Sequence, residues 1–315
     1  MDRVMLGDTG IEVTRLCFGS LTIGPVQAAL PTEAGSEIIA HAIQRGINFF
    51  DTAQLYGTYP YLRRGMEITG RNDIVISSKT YAWDKEEALA AVEEARRELD
   101  RDMVDIFMLH EQENAMTLRG HRDALDALYG CKAKGVIRAV GVSTHHVAGV
   151  EGAAALGVDV IHPIINMDGL GIDDGDRDTM EAAVRGAREK GTGIFSMKPL
   201  GGGNLLRKAE DALSYVLGLD YIDSIAIGMQ SIEEVDANIG FWETKRFTDG
   251  AKSALAQKKR KLHIEEWCTG CGSCVGRCAQ RAIKVSGGRV YCNHEICILC
   301  GYCSTACGQW AIKVV

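Results

Sequence analysis

The sequence predicts an α/β protein, a (β/α)₈ TIM barrel followed by a small α+β domain at the C-terminus. Two observations predict this division. Short β-branched runs alternate with longer amphipathic segments over residues 1–262, as they do in repeated βα units. Nine of the eleven cysteines then crowd into the last 48 residues. We therefore expect a barrel domain over residues 1–262 and a cysteine-rich domain over residues 263–315.

Eight segments of the barrel domain are predicted to be strands. They are residues 13–19, 48–51, 74–79, 104–110, 137–143, 160–166, 193–198 and 224–228. Several are almost continuously apolar, which is typical of parallel strands buried on both faces. An open, doubly wound sheet is the alternative. No Gly-x-Gly-x-x-Gly motif follows the first strand, and this favours the closed barrel.

Helical patterns fill the intervals between the predicted strands. Residues 86–99 place apolar side chains on one face and charged ones on the other, and residues 118–134 repeat this pattern. Near the N-terminus, Gly7-Asp8-Thr9-Gly10 has the composition of a hairpin turn. We expect residues 1–12 to form a small plug ahead of the barrel.

Composition and charge exclude several classes of protein. With 46% hydrophobic residues the chain is globular, and its net charge of −7 argues against binding to nucleic acid. The one basic run, residues 258–261, is interpreted as a solvated helix end between the domains. No apolar run approaches the roughly 18 residues of a membrane span, and the first residues lack the apolar core of a signal peptide. We therefore expect a cytoplasmic protein.

One cysteine spacing occurs twice in the C-terminal segment. The two runs are Cys268-x-x-Cys271-x-x-Cys274-x-x-x-Cys278 and Cys297-x-x-Cys300-x-x-Cys303-x-x-x-Cys307. This segment resembles bacterial ferredoxins that carry two [4Fe–4S] clusters, in which the fourth cysteine of each run ligates the other cluster. Zinc is disfavoured, because zinc sites combine pairs of Cys-x-x-Cys with four ligands each.

The resemblance implies a ferredoxin-like α+β domain with two [4Fe–4S] clusters. The implied ligands are Cys268, Cys271, Cys274 and Cys307 for the first cluster, and Cys297, Cys300, Cys303 and Cys278 for the second. Ala279 and Gly308 stand where ferredoxins usually have proline. Cys292 is left over and is interpreted as a buried bystander near the second cluster. Because such clusters are sensitive to oxygen, we expect an anaerobic host or niche.

Four chemically active side chains stand at or near the ends of neighbouring predicted strands. Asp51, Lys79 and His110 end the second, third and fourth strands, and Tyr56 follows Asp51 closely. Barrel enzymes carry their catalytic groups at these ends. A nearby ammonium group is expected to lower the pKa of the tyrosine, and Asp51 would hold that ammonium in place. The four groups predict proton transfer to a carbonyl oxygen or from an alcohol.

These positions belong to a longer match. Residues 46–57, Gly-Ile-Asn-Phe-Phe-Asp-Thr-Ala-Gln-Leu-Tyr-Gly, resemble the signature of the aldo-keto reductase superfamily. Further matches are Ser78-Lys79-Thr80, Leu109-His110, Gly141-Val142-Ser143 and residues 198–203. The similarity covers roughly residues 1–240. It implies reduction of aldehydes and ketones with NADPH, with Tyr56 as the proton donor and Asp51, Lys79 and His110 in support.

The same resemblance implies a dinucleotide site at the barrel mouth. Its residues would be Gly19, Ser20, Ser143, Asn166, Met197, Lys198, Leu200, Gly228, Gln230, Glu234 and Asn238. Met197 and Lys198 stand where the family stacks an aromatic side chain on the nicotinamide. Residues 228–231 offer no cation for a 2′-phosphate. NADP(H), NAD(H) and no nicotinamide therefore all stay open.

Structural clusters, clusters that exchange electrons with NAD(P)H through an unrecognised carrier, and clusters that replace nicotinamide all stay open, and three functional hypotheses follow. The first is an oxidoreductase for a carbonyl/alcohol pair, with Tyr56 as general acid–base and NAD(P)H in the mouth. The second is a ferredoxin-coupled enzyme without nicotinamide, whose clusters pass electrons directly to the substrate in a radical reduction or elimination. The third is a non-catalytic electron-transfer subunit, against which the complete set of four side chains argues. The expected partners are a small carbonyl or alcohol substrate and a redox protein such as ferredoxin.

Overall fold

The structure is a computed structural model that describes residues 1–203, 205–256, 261–264, 266–307 and 311–314. Residues 258–260 of the basic run and Gly308 lie outside the described residues. Among the residues described, no helix is both long enough and apolar enough to cross a membrane.

An antiparallel hairpin of β1 (Arg3–Met5) and β2 (Glu12–Thr14) precedes the barrel. The predicted first strand, residues 13–19, is wrong at its start, since residues 13 and 14 belong to this hairpin. The amide of Thr14 donates to Asn48 Oδ1 at 2.6 Å, and its hydroxyl donates to the Leu16 carbonyl at 2.8 Å. These bonds turn the chain before the barrel strand begins at Leu16.

Eight parallel strands form a closed barrel, which confirms this part of the predicted fold. They are β3 (Leu16–Gly19), β4 (Phe49–Asp51), β5 (Val75–Thr80), β6 (Val104–Leu109), β7 (Ile137–Thr144), β8 (Val160–Pro163), β9 (Gly193–Met197) and β10 (Ser224–Gly228). Strand β10 pairs with both β9 and β3, and so closes the sheet.

The barrel interior is filled by side chains that alternate along these strands. They include Cys17, Phe49, Val75, Ile106, Met108, Ala139, Val160, Phe195 and Ala226. Leu6, Ile11 and Val13 of the hairpin region join this cluster. Since Gly7 lies against Gly193 at the start of β9, the hairpin closes the N-terminal end of the barrel. The opposite, C-terminal end is left for the site.

Helices lie between and around the strands. Those of the barrel region are α1 (Thr32–Gln44), α2 (Tyr59–Thr69), α3 (Lys85–Leu99), α4 (Ala115–Gly120), α5 (Arg122–Ala133), α6 (Val147–Leu156), α7 (Arg177–Arg188), α8 (Ala209–Leu217), α9 (Ile232–Thr244) and α10 (Asp249–Ala256). Short 3₁₀ turns cover Ser20–Thr22, Gln54–Tyr56, Gly201–Gly203 and Leu206–Lys208. The predicted single helix over 118–134 is wrong, because at His121 the backbone leaves the helical region (φ −100°, ψ 18°).

The C-terminal segment repeats a strand–helix–strand unit. It comprises β11 (Leu262–Ile264), α11 (Ser273–Gly276), β12 (Ile283–Ser286), β13 (Arg289–Cys292), α12 (Tyr302–Thr305) and β14 (Ile312–Val314). Strand β11 pairs with β14, and β12 pairs with β13, both antiparallel. The predicted domain boundary between residues 262 and 263 falls inside β11.

Candidate active site and cysteine-rich centre

The four predicted catalytic side chains lie together at the C-terminal end of the barrel. Asp51 is the last residue of β4, Lys79 lies near the end of β5, and His110 directly follows β6. Tyr56 is carried by the 3₁₀ turn that follows β4. Because β4, β5 and β6 are neighbours in the sheet, their ends hold these groups side by side.

Asp51 and Lys79 form a buried ion pair. Lys79 Nζ donates to Asp51 Oδ2 at 2.7 Å and to the Thr52 carbonyl at 2.8 Å. The two side chains are only 7% and 1% exposed. Burial raises the pKa of Asp51, and Lys79 opposes that effect. Asp51 Oδ1 has no hydrogen-bond partner among the described residues.

Tyr56 lies over this ion pair. Lys79 Nζ is 4.9 Å from the centre of the Tyr56 ring, and the Tyr56 and His110 rings meet edge to face at 5.7 Å. Burial raises the pKa of Tyr56 well above its ordinary value, and the carboxylates of Asp51 and Glu111 raise it further. The expectation of a lowered pKa for Tyr56 is therefore wrong, and burial is the largest cause of the rise. Tyr56 therefore holds its proton near neutral pH.

His110 is a buried, neutral imidazole. Burial and then the charge of Lys79 lower the pKa of His110 well below its ordinary value. Its ring stacks on Tyr81 at 4.4 Å, and its Nδ1 lacks a partner within the described part of the chain. A neutral imidazole can hydrogen-bond the oxygen of a bound carbonyl and so orient it.

Four further polar residues at the mouth were not among the predicted site residues. The Tyr81 hydroxyl donates to Glu111 Oε2 at 2.5 Å, and His145 Nδ1 lies 4.0 Å from Glu111 Oε1. His162 Nδ1 donates to the Phe195 carbonyl at 2.6 Å, and its Nε2 lies 3.8 Å from Asp51 Oδ2. All four lie at or just after barrel strand ends, and that position was the signal that could have found them.

Three residues of the predicted dinucleotide site are buried and support the mouth loops. Ser20 Oγ donates to the Asp51 carbonyl at 2.9 Å, and Ser143 Oγ accepts from the Glu111 amide at 2.9 Å. Both polar atoms of the Asn166 amide bond to the backbone of Leu170. These side chains therefore already have partners within the protein.

The other predicted dinucleotide residues fall into two groups. Gly19 and Gly228 pair at the ends of β3 and β10, and Gln230, Glu234 and Asn238 lie just beyond. The Gln230 amide donates to Glu234 Oε2 at 2.6 Å, and Asn238 Nδ2 donates to the Glu234 carbonyl at 2.8 Å. Met197, Lys198 and Leu200 form the second group, half-buried at the end of β9.

The eight predicted cluster ligands lie in two adjoining groups. Burial and then Cys307, Cys268 and Cys271 raise the pKa of Cys274, so Cys274 lies among the other three of its predicted set. The second set, Cys278, Cys297, Cys300 and Cys303, lines one apolar cavity together with Leu262, Ala282 and Ile283. Burial and the thiols of Cys300 and Cys297 raise the pKa of Cys303 to about 12.

The fourth cysteines of the two runs have matching environments. The Ala282 amide donates to Cys278 Sγ at 3.2 Å, and the Ala311 amide donates to Cys307 Sγ at 3.3 Å. Cys292 is half-buried, not fully buried as expected, and burial together with Cys297 raises its pKa to about 12. In the described ranges no three Cys, His, Asp or Glu side chains converge closely enough to bind a single metal ion.

Comparisons with known proteins concern the barrel. The family model described as "Aldo/keto reductase family" matches residues 15–214, ending before the cysteine-rich segment. L-galactose dehydrogenase of Arabidopsis thaliana is 24% identical over 282 residues, which cover 74% of this chain and 86% of the relative. The uncharacterized oxidoreductase YtbE of Bacillus subtilis (strain 168) is 32% identical over 188 residues, covering 55% of this chain and 62% of YtbE.

Solved structures agree on the fold. The aldo-keto reductase AKR11C1 from Bacillus halodurans, in its holo form, superposes with a TM-score of 0.67 at 21% sequence identity. The match covers 82% of this chain and 96% of that one.

Proposed function

Because the chain belongs to the aldo/keto reductase family, we propose that it is an oxidoreductase that interconverts a carbonyl compound and an alcohol. In this proposal Tyr56 is the general acid–base, and the electrons of the reaction are linked to two [4Fe–4S] clusters. The observation that carries this proposal is the Tyr56–Lys79–Asp51–His110 arrangement. The neutral phenol lies over a buried ion pair and beside a neutral imidazole.

Each residue of the arrangement has a role in proton transfer. In the reducing direction, His110 orients the carbonyl oxygen and Tyr56 donates its proton to it. Lys79 then stabilises the phenolate that remains, and Asp51 holds Lys79 in place. A bound nicotinamide would supply a hydride, two electrons and one proton, in reduction and would accept the hydride in oxidation. In the oxidising direction, the Tyr56 phenolate takes the proton of the alcohol.

Replacing Tyr56 tests this role. In Tyr56→Phe we expect turnover to fall about 10²- to 10⁴-fold, because the proton donor is gone while the ring remains. Turnover would be measured anaerobically on a panel of aldehydes and ketones, with NADPH, NADH or reduced viologen as the electron donor. Iron content should not change.

The matched control is Tyr291→Phe, at a half-exposed tyrosine on the C-terminal hairpin. It should leave turnover unchanged. Unchanged turnover in Tyr56→Phe would refute the assignment.

Two cubane clusters are the proposed cofactors of the cysteines, and residues 263–315 are proposed as a ferredoxin-like domain. In a [4Fe–4S] cluster each of the four irons takes one thiolate, so the ligands surround the cluster and do not converge on one ion. Four cysteines lining one cavity fit this demand. The amides that donate to Cys278 Sγ and Cys307 Sγ would hydrogen-bond sulfur ligands of a cluster, an interaction that tunes the reduction potential of such clusters. Bound clusters would transfer single electrons, to or from a partner such as ferredoxin.

Iron analysis tests the clusters. Anaerobically reconstituted protein should hold about eight irons per chain. Cys274→Ser should lose the first cluster and reduce this number by about half. Cys292→Ser, the control, should keep the full iron content, because Cys292 is in neither ligand set. A full iron content in Cys274→Ser would contradict the assignment of Cys274 as a ligand of the first cluster.

A second candidate is a ferredoxin-coupled enzyme without nicotinamide. The observation that favours it is the contact between the loop after β9 and Cys300, where a Cβ on Gly202 would lie 2.9 Å from the Cys300 carbonyl oxygen. Calorimetry of NADPH and NADH with cluster-loaded protein distinguishes the two candidates. Tight binding of either dinucleotide supports the hydride route, and binding of neither supports this second candidate.

A further inference from the structure

The cysteine-rich segment lies directly on the barrel mouth, at a loop without side chains. We name Gly201–Gly203 the glycine loop, and residues 297–303 the second cysteine loop. A Cβ on Gly202 would lie 2.9 Å from the Cys300 carbonyl oxygen and 3.1 Å from Cζ of Tyr302. A Cβ on Gly203 would lie 3.2 Å from Cys300 Cα. The two backbones approach this closely only because the glycine loop has no side chains.

Tyr302 anchors this contact. Its hydroxyl donates to the Gly201 carbonyl at 3.1 Å. The same hydroxyl lies against Gly171 in the loop after β8, where a Cβ would be 3.1 Å away. Tyr302 is therefore held between two mouth loops. It is also next to Cys303 and two residues from Cys300, both predicted ligands of the second cluster.

Lys198 lies below Tyr302 on the barrel side. Its Nζ is 5.9 Å from the centre of the Tyr302 ring and 3.0 Å from His145 Nε2. Lys198 has a φ of +55°, a left-handed conformation that costs about 1–2 kcal/mol in a residue with a side chain. Backbone strain of this kind clusters at functional sites.

A line of contacts continues from Lys198 to the proposed catalytic residues. His145 faces Glu111, Glu111 accepts from Tyr81, and Tyr81 stacks on His110. Asp173 and Arg277 also face this region, 3.9 Å from each other, and Arg277 is largely exposed. The proposed roles of Tyr56, Lys79, Asp51 and His110 do not use Lys198 or His145.

From these contacts we infer that the glycine loop is a docking site for the second cysteine loop, and that Lys198 is a positioning residue that electrostatically couples the second cluster to the proposed active site. The inference rests on the proposed function, since it requires the cluster of Cys278, Cys297, Cys300 and Cys303. It assigns the barrel mouth an electron-transfer contact within the same chain.

The coupling has a definite sign. A cluster that accepts one electron gains one negative charge, and a one-electron donor such as a reduced viologen dye loses that electron. The Lys198 ammonium favours the more negative, reduced state, and water screens the attraction less at this half-buried position than it would on the open surface. Removal of the ammonium should therefore make this cluster harder to reduce.

Lys198→Met tests the coupling without any substrate. Cluster-loaded protein is titrated anaerobically with dithionite and redox mediators, and the reduced clusters are followed by electron paramagnetic resonance. We expect the potential of one cluster to become more negative while that of the other stays unchanged. Lys190→Met, which removes an exposed lysine of the barrel, should shift neither.

The outcomes separate this inference from the proposed function. Intact clusters with no shift in Lys198→Met would overturn the coupling and leave the proposed function standing. Protein that holds no clusters after reconstitution would instead refute the iron–sulfur part of the proposed function.

Gly202→Ala tests the docking site. Its matched control is Gly70→Ala, because Gly202 and Gly70 have φ values of +63° and +64°, while a Cβ on Gly70 meets nothing within 4 Å. Both variants carry the same backbone strain, and only Gly202→Ala presses on the second cysteine loop. We expect faster amide hydrogen exchange in residues 297–303 of holoprotein for Gly202→Ala alone. Equal exchange in the two variants would overturn the docking site.

Discussion

At the scale of single residues, the buried pair of Asp51 and Lys79 determines the electrostatics of the mouth. Removing two charges from water is costly, and their attraction repays that cost only with good geometry and further hydrogen bonds. Here the 2.7 Å contact and the bond from Lys79 to Thr52 provide both. The pair holds an ammonium beside the Tyr56 ring, where it can meet a developing phenolate.

Lys79→Met should therefore destabilise the fold as well as impair catalysis. The variant leaves Asp51 buried without its partner, and we expect the free energy of unfolding to fall by about 3–5 kcal/mol. Without Lys79 the pKa of Asp51 rises further, so the folded state binds more protons than the unfolded state. The loss of stability should then grow as the pH increases.

Urea denaturation at several pH values measures this effect. The double variant Asp51→Asn, Lys79→Met removes the unpaired charge and should recover most of the stability. A single variant as stable as the double variant would show that the buried charge carries no such cost.

At the scale of elements, the N-terminal hairpin depends on one close backbone contact. Gly7 has a φ of +52°, and a Cβ on it would lie 2.3 Å from the Gly193 amide nitrogen at the start of β9. Asp223 Oδ2 accepts from the amides of both Gly7 and Ile194, at 3.0 and 2.8 Å. The turn is thereby bonded to the N-terminal ends of β9 and β10.

Gly7→Ala should consequently weaken the barrel more than Gly10→Ala. Both glycines are left-handed, but a Cβ on Gly10 meets nothing within 4 Å. Gly10→Ala should cost only the backbone strain of about 1–2 kcal/mol. Gly7→Ala adds overpacking, commonly another 1–3 kcal/mol. Urea unfolding compares the two, and equal losses would mean that the contact with β9 is not tight.

At the scale of the whole molecule, the mouth gathers three histidines that are held neutral. Burial is the largest cause that lowers the pKa values of His110, His145 and His162, and Lys79 or Lys198 contributes to each. They come from the ends of three adjacent strands, β6, β7 and β8. The stability of the assembled barrel is therefore sensitive to acid, and this sensitivity belongs to the three strand ends together and not to any single element.

Stability should decrease as the pH falls below about 6.5. Unfolded histidines take up protons there while the three buried ones do not, so the unfolded state binds more protons. Each histidine should contribute up to about 1.4 kcal/mol per pH unit. Denaturation between about pH 5.5 and 7.5 measures the slope. His162→Gln should reduce this slope by about the contribution of one histidine. His294→Gln, at an exposed histidine, should leave the slope unchanged. Equal slopes would count against a neutral His162.

The sequence by itself determined the eight barrel strands, apart from where the first begins, and the strand-end positions of Asp51, Lys79 and His110. Apolar runs and the rule that parallel strands end at a common mouth are local patterns, so they can be recognised without a structure. The spacing of the two cysteine runs is equally local, because the reach of a short loop decides which cysteines are predicted to share a cluster.

Only the tertiary structure decided the rest. The break at His121 depends on one residue's backbone angles, and the shared polar mouth of His145, His162 and Glu111 depends on strands distant in sequence. The pKa of Tyr56 rises because the assembled mouth buries the phenol and places Asp51 and Glu111 near it. The contact between the glycine loop and the second cysteine loop joins segments about a hundred residues apart. Burial and long-range contact arise from packing, and no local pattern encodes them.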